Sequence, residues 1–224
     1  MRNIRKSAEP EALAQYCRNP DAYYGGLTKE SGRKETIHAA LISEQRGLCC
    51  YCMSRITMAN STIEHWSPQN PSDKTTPPTG GWRGPLDYTN LLAVCPGNEG
   101  KKPKEQHCDE RKGEQVLKFN PAVHDVEAIL KYGSDGTISS TDAEFDGELD
   151  RVLNLNYSLL KDNRKKVLKG FTDGLHKTFR DKPAPRGYLE NCLKDWNGDS
   201  PSGDLKPFCQ VVVYWIKKKL RAVT

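Results

Sequence analysis

Cys49-Cys50-Tyr51-Cys52 opens a spaced set of residues that continues through Glu64-His65, Asn90-Leu91-Leu92 and Cys95 and closes with His107-Cys108-Asp109-Glu110-Arg111-Lys112-Gly113. Each fragment alone is common, but the ordered set demands a shared explanation. Cys49 and Cys52 form a C-x-x-C knuckle, the tight turn that lets two thiolates take adjacent corners of a zinc tetrahedron. Cys95 and Cys108 can supply the other corners, giving a closed structural site of four soft ligands that staples a fold with a small core. Pro96 to His107 separate the second pair, so its turn geometry requires this stretch to loop out. Adjacency leaves two exchanges open, Cys50 for Cys49 and His107 for Cys108. The alternative is a set of buried free thiols. A redox pair is disfavoured, because no thioredoxin-like strand and helix precede Cys49.

Around this set the chain reads as three parts: an N-terminal arm (1–30), a core (31–120) and a mainly helical region (121–224). The arm mixes Pro, Gly, Tyr and charge without periodicity, so it is expected to be irregular and to pack on the core or dock on a partner. From Ser31 to Ile42, good helix formers with Ile37, Ala40 and Leu41 at helical spacing predict a helix capped by Ser31 or a neighbour. Gly47 suits a left-handed stop that delivers the chain into Cys49. Thr62 to Trp66 alternates as a short strand would, and Cys108 to Gly113 starts a short helix. Between Trp66 and Leu86, Pro, Gly, Ser and Thr predict a long loop. Val116 to Phe119 reads as a strand, and Gly133-Ser134-Asp135-Gly136 as a turn between short strands. From about Asp142 the pattern is helical, with Leu153, Leu160, Val167, Leu168 and Phe171 on an apolar face and Arg164, Lys165, Lys166 and Lys169 on an exposed one. A last helix is expected from Pro207 to Arg221.

Composition sets wide bounds. The 34 basic and 29 acidic residues of the 224-residue chain leave +5, which permits nucleic-acid binding without arguing for it. No run approaches the roughly 18 apolar residues of a membrane span. The basic start Met1-Arg2-Asn3-Ile4-Arg5-Lys6 leads into no apolar stretch, so the cytoplasm is the expected compartment. In such a compartment eight cysteines are seldom a disulfide framework. Cys17, Cys192 and Cys209 lie far from the cluster and read as ordinary thiols.

Glu64-His65 between the two halves of the metal set, Asn90-Leu91-Leu92 leading into Cys95, and Cys108-Asp109-Glu110-Arg111-Lys112-Gly113 on a helix resemble the HNH endonucleases. The match runs from about Leu48 to Gly113. The resemblance implies an α+β fold: a zinc-stapled ββα-metal (HNH) nuclease core with an N-terminal arm and a helix-rich C-terminal part. It also implies His65 as general base, Asn90 as its orienting residue, and Glu64 with Asp109 holding one catalytic Mg2+ or Mn2+, beside the structural Zn2+ of Cys49, Cys52, Cys95 and Cys108. The chain departs from the family where Glu64 replaces the commoner Asp, where Asp109 stands for His or Asn, and where the second cysteine pair is split. With Leu153-Asn154-Leu155-Asn156 in a helical C-terminal half, it is most similar to PtuB-type effectors of Septu and retron anti-phage defence systems. That narrower resemblance implies a PtuA-type ATPase partner and, through it, a retron RNA/DNA complex.

The chemistry is consistent without the name. A neutral imidazole can take a proton from water near neutral pH, and a divalent ion on two carboxylates can neutralise charge at a phosphodiester. Hydrolysis of DNA or RNA, transfer RNA included, is the expected activity. Arg83, Arg111 and Lys112 are candidates to grip flanking phosphates, Trp82 to stack on a base, and Lys101, Lys102 and Lys104 to extend the positive charge. The competing class is a non-catalytic zinc module that binds nucleic acid or protein. A zinc hydrolase using His65 as ligand lacks a second histidine at i, i+4.

Overall fold

The structure, a computed structural model, describes residues 1–29, 32–69, 84–180, 182–199 and 203–222. Ser31, Trp82, Arg83 and most of the loop expected after Trp66 lie outside the described residues. Among the described residues the fold is α+β. Its first half holds α1 (Glu11–Tyr16), α2 (Arg33–Glu44), β1 (Thr62–His65), β2 (Leu91–Val94) and α3 (Cys108–Lys112). The second half holds α4 (Val126–Ile129), β3 (Leu130–Tyr132), β4 (Ile138–Ser140), α5 (Ala143–Arg151), α6 (Ser158–Phe179), α7 (Arg186–Asn197) and α8 (Cys209–Ala222). Strands β1 and β2 form one antiparallel pair, β3 and β4 another. No described helix is long and apolar enough to cross a membrane.

The expected first helix is α2. Gly32, in the left-handed region, precedes it and has no capping side chain. At its other end Gln45 is still right-handed, and the chain reverses through Arg46 and Gly47, both at positive φ. The φ of +71° at Gly47 favours glycine, and a Cβ there would have to displace the ends of the Arg55 and Asp204 side chains. Gln45 is buried and acts as a strand substitute: its Nε2 donates to Ala93 O and its Oε1 accepts from Ala93 N, both at 2.7 Å. Together with the Cys50 N–H on Ala93 O, it blunts the free edge of β2. Strand β1 pairs Ile63 with Ala93, Glu64 with Leu92 and His65 with Leu91.

One hydrophobic core runs through all three sequence parts, joining Met1, Leu13 and Leu27 of the arm to the cysteine knuckle, β1, β2, Phe145, Leu149 and Leu155. A second core lies among α6, α7 and α8 around Leu168, Leu189, Val212 and Ile216. The arm is therefore not irregular throughout: it holds α1 and a 3-10 turn at Tyr24–Lys29, and its Lys6 reaches Leu91 O at 2.8 Å.

Other expectations need correction. Val116–Phe119 forms no strand; the Lys118 N–H is taken by the Glu148 carboxylate instead of a neighbouring strand. Helix α5 ends at Arg151, so Leu153 lies in the α5–α6 link, and the last helix starts at Cys209, after Phe208 at positive φ. Arg164 is buried at 3% exposure and spans the α5–α6 link, donating to Gly136 O, Leu155 O and Asn156 Oδ1. The Gly133–Gly136 turn between β3 and β4 is present as expected.

Candidate metal centre and acid–histidine site

The ligating sulfurs of Cys49, Cys52, Cys95 and Cys108, all buried, lie within 4.8 Å of one another. Cys49 Sγ is 3.9 Å from Cys108 Sγ, and Cys52 Sγ is 3.6 Å from Cys95 Sγ. A zinc tetrahedron with Zn–S near 2.3 Å has edges of about 3.8 Å. Geometry, softness and burial of the four donors therefore fit a zinc ion. Neither Cys50 nor His107 belongs to this group, so both open exchanges resolve in favour of Cys49 and Cys108. All eight cysteines are free of disulfides.

Local chain geometry explains how the four meet. In the knuckle, Cys49 N–H donates to Ser54 O and Met53 N–H to Cys49 O, with Met53 at positive φ. In the second half, residues 98–106 loop out between Gly97 and His107, whose N–H donates to Gly97 O at 2.9 Å. Gly97 has φ +58°, and a Cβ there would stand 2.0 Å from His107 O, so only glycine closes this neck. Asn98 Nδ2 bonds Glu105 O, and Asn154 Nδ2 grips Lys104 O and Gln106 O. Cys108 N–H donates to Leu153 O with Cys108 itself at φ +54°, a strained conformation for a non-glycine residue. Thus Leu153-Asn154 anchors the insertion, and Asn156 clamps β4 through two bonds to Ile138.

Crowding of the four sulfurs splits their acidities. Burial alone would raise the Cys49 thiol, but hydrogen bonds from Cys108, Cys50, Cys52 and Cys95 outweigh it and hold Cys49 well below the ordinary range. Burial and the bond to Cys49 push Cys108 well above it. Four thiolates this close need a cation to ionise together. Outer bonds complete the shell: Ser54 N–H reaches Cys52 Sγ at 3.4 Å, and His107 Nδ1 lies 3.2 Å from Cys108 Sγ.

Beside this centre, β1 turns its successive side chains apart. Glu64, buried, accepts on one oxygen, Oε1, from Tyr51 Oη at 2.9 Å and from Lys112 Nζ at 2.8 Å. Lys112, expected to meet substrate phosphates, is instead fully enclosed, and its ammonium also donates to His65 O at 3.0 Å. It bolts α3 onto β1. The Asp109 carboxyl, one residue past the last cysteine, lies near enough to Glu64 to feel its charge. Burial first, then the Glu64 charge, push it up to about 8.

His65 shows its imidazole to other partners. Its Nε2 is 3.0 Å from Pro85 O, which can only accept, so Nε2 carries the hydrogen and Nδ1 is the basic nitrogen. Gln69 Nε2 approaches Nδ1 at 3.4 Å, and the Tyr24 ring meets the imidazole edge-on with centroids 4.4 Å apart. Burial lowers the imidazole below its ordinary value, against the raising effect of the Pro85 carbonyl and with Lys112 adding to the lowering. Asn90, expected to orient His65, makes no direct hydrogen bond to the ring among the described residues. It holds the exit of β1, accepting from Ser67 N at 2.7 Å and donating to Ser67 O at 3.0 Å. Pro85 provides the orienting contact. Among the described residues only the four cysteines form a group of three or more converging ligands, so His65 does not join Glu64 and Asp109 in such a group.

Arg111, half-buried, donates to Pro103 O at 3.3 Å and braces the insertion against α3, while Lys101, Lys102 and Lys104 are exposed on that loop. Three site residues carried no signal in the spacing alone. Tyr51 sits inside the knuckle motif, Pro85 at the far end of the long loop, and Tyr24 in the arm. No protein-family model matches the chain, nor does any curated protein sequence.

Proposed function

We propose that the chain is a divalent-metal-dependent HNH endonuclease that hydrolyses phosphodiester bonds of DNA or RNA, acting as the nuclease effector of an anti-phage defence system with an ATPase partner. The observation that supports this reading is the four-cysteine group beside β2 and α3, with Asp109 directly after its last member and within the influence of the Glu64 charge, and the His65 imidazole, with its basic Nδ1, next to Glu64 on β1. In this reading Glu64 and Asp109 would hold Mg2+ or Mn2+, whose charge would neutralise the phosphate and the departing oxygen. Tyr51 and Lys112 both engage Glu64 Oε1, which leaves Oε2 and the Asp109 oxygens as the donors for such an ion. His65 Nδ1 accepts the proton of the attacking water, and the Pro85 carbonyl fixes the ring through Nε2. Asn90 secures the Ser67 backbone so that the strand end bearing His65 keeps its position. The four cysteines would hold a structural zinc and take no part in the reaction.

A non-catalytic zinc module is the second reading. It draws on Lys112, which already neutralises Glu64 without a metal ion. Incubation of the purified chain, alone and with its ATPase, with Mn2+ and plasmid, single-stranded DNA and transfer RNA separates the two. The nuclease reading expects cleavage leaving 5′-phosphate ends from DNA and its loss in His65→Ala. Equal cleavage by the variant, or none on any substrate under either condition, favours the binding module.

A further inference from the structure

The arm and the start of α2 bring together three tyrosines and three cations. Arg33 lies over the Tyr16 ring with its guanidinium carbon 4.5 Å from the centroid, Lys29 Nζ is 5.2 Å from the Tyr23 centroid, and Lys34 Nζ is 5.6 Å from that of Tyr24. The tyrosines are held by backbone contacts rather than by chance packing. Tyr16 Oη donates to Tyr23 O at 3.0 Å and accepts from Tyr23 N at 3.3 Å, and a Cβ on Gly26 would stand 2.1 Å from that hydroxyl. Leu27, fully buried, anchors the same turn to the core. Tyr23 nonetheless leaves 53% of its surface to solvent. Its neighbour Tyr24 packs its ring on His65, and among the described residues the Tyr24 hydroxyl has no hydrogen-bond partner. The exposed Tyr23 ring with Lys29 over it, and the half-exposed Tyr24 with Lys34 over it and His65 against it, match the composition of stacking platforms for unpaired bases. A duplex keeps its base faces stacked inside and would offer such a surface only its backbone.

We infer that Tyr23 and Tyr24, with Lys29 and Lys34, form a platform on which an unpaired nucleotide beside the target phosphodiester stacks, so that the chain takes single-stranded or looped nucleic acid. This inference rests on the nuclease reading for its orientation toward His65. Its test is a binding measurement made without added divalent ions, so that failure of catalysis and failure of the platform are told apart. Fluorescence anisotropy of labelled single-stranded DNA and RNA oligonucleotides, and of duplexes of the same sequence, is measured for the wild type, Tyr23→Ala, Tyr23→Phe and Lys29→Ala. Tyr23 is exposed, so the first variant should fold, which circular dichroism and zinc content verify. Tyr23→Ala should weaken single-strand binding about 5- to 100-fold, while Tyr23→Phe, which keeps the ring, should stay near the wild type. Lys29→Ala should flatten the salt dependence of binding by about one counterion. Wild-type preference for the duplex, absence of single-strand binding, or unchanged affinity in Tyr23→Ala would each overturn the platform. Cleavage that persists in Tyr23→Ala with unchanged binding would overturn it while leaving the nuclease reading intact.

Discussion

Replacing Lys112 by Ala separates a structural ion pair from a substrate contact. The Lys112 side chain is 1% exposed and its partner Glu64 6%, with Nζ to Oε1 at 2.8 Å. Removing one member of a buried pair leaves the other charge uncompensated at a cost of about 3–5 kcal/mol. The donor to His65 O disappears in the same step, and because both bonds come from one ammonium the losses are not summed. For a urea slope of about 2–3 kcal/mol/M, the unfolding midpoint should fall by roughly 1–2.5 M. The double variant Lys112→Met with Glu64→Gln removes both charges and should recover most of that loss. The assay is urea unfolding followed by circular dichroism on zinc-loaded protein, with the slope checked for each variant. A midpoint within about 0.3 M of the wild type for Lys112→Ala, a small fraction of that expected drop, would refute the assignment of Lys112 as the bolt between α3 and β1. It would return this lysine to the surface role that its position in the motif first suggests.

Cys108→Ser should lower bound zinc from about one per chain and destabilise the fold, whereas Cys50→Ser should keep the metal; zinc loss in both, measured by metal analysis, would contradict the ligand set. His65 has its folded value lowered by burial, so it stays neutral down to below its ordinary 6.5. The unfolded chain takes up this proton first as pH falls, so the His65 contribution to stability is intact above about 6.5 and is lost below it, and the acid limb of the kcat/KM profile should lie below the same pH. An acid limb centred above 7 would exclude His65 in this state as the base. Gly136 has φ +87° and a Cβ there would meet Lys161 O at 2.0 Å, so Gly136→Ala should cost about 2–4 kcal/mol and lower Tm by roughly 5–15 °C; an unchanged Tm would show that the turn relaxes freely.

Local patterns carried the elements around the metal centre well. The C-x-x-C knuckle, the Thr62–His65 strand, the helix starting at Cys108 and the turn at Gly133–Gly136 are each written in a few neighbouring residues whose spacing or φ requirement is specific. Identification of the four ligands needed the fold, because only the neck between Gly97 and His107 decides that Cys108, and not His107, faces Cys49. Burial of single charges was illegible for a related reason. Lys112 and Arg164 stand in basic runs that look solvated, and what encloses them is a strand or a helix link from elsewhere in the chain. Val116–Phe119 has strand-like residues, yet a strand needs a partner edge, and here the Glu148 carboxylate takes the backbone donor. Tyr23-Tyr24-Gly25-Gly26 has no periodicity, so the arm carries no chemical signal in its sequence. Its meaning lies in what the Tyr24 ring touches, which is His65.

In the proposed function Cys49, Cys52, Cys95 and Cys108 hold the fold while Glu64, Asp109 and His65 cut. The test is to measure zinc content and cleavage of nucleic acid in Mn2+ on one preparation each of wild type and His65→Ala, with the proposed ATPase partner present. The expected result is about one zinc per chain in both proteins and a cleavage rate at least ~10²-fold lower in the variant. Undiminished cleavage by zinc-loaded His65→Ala, or loss of zinc together with activity, would contradict the division.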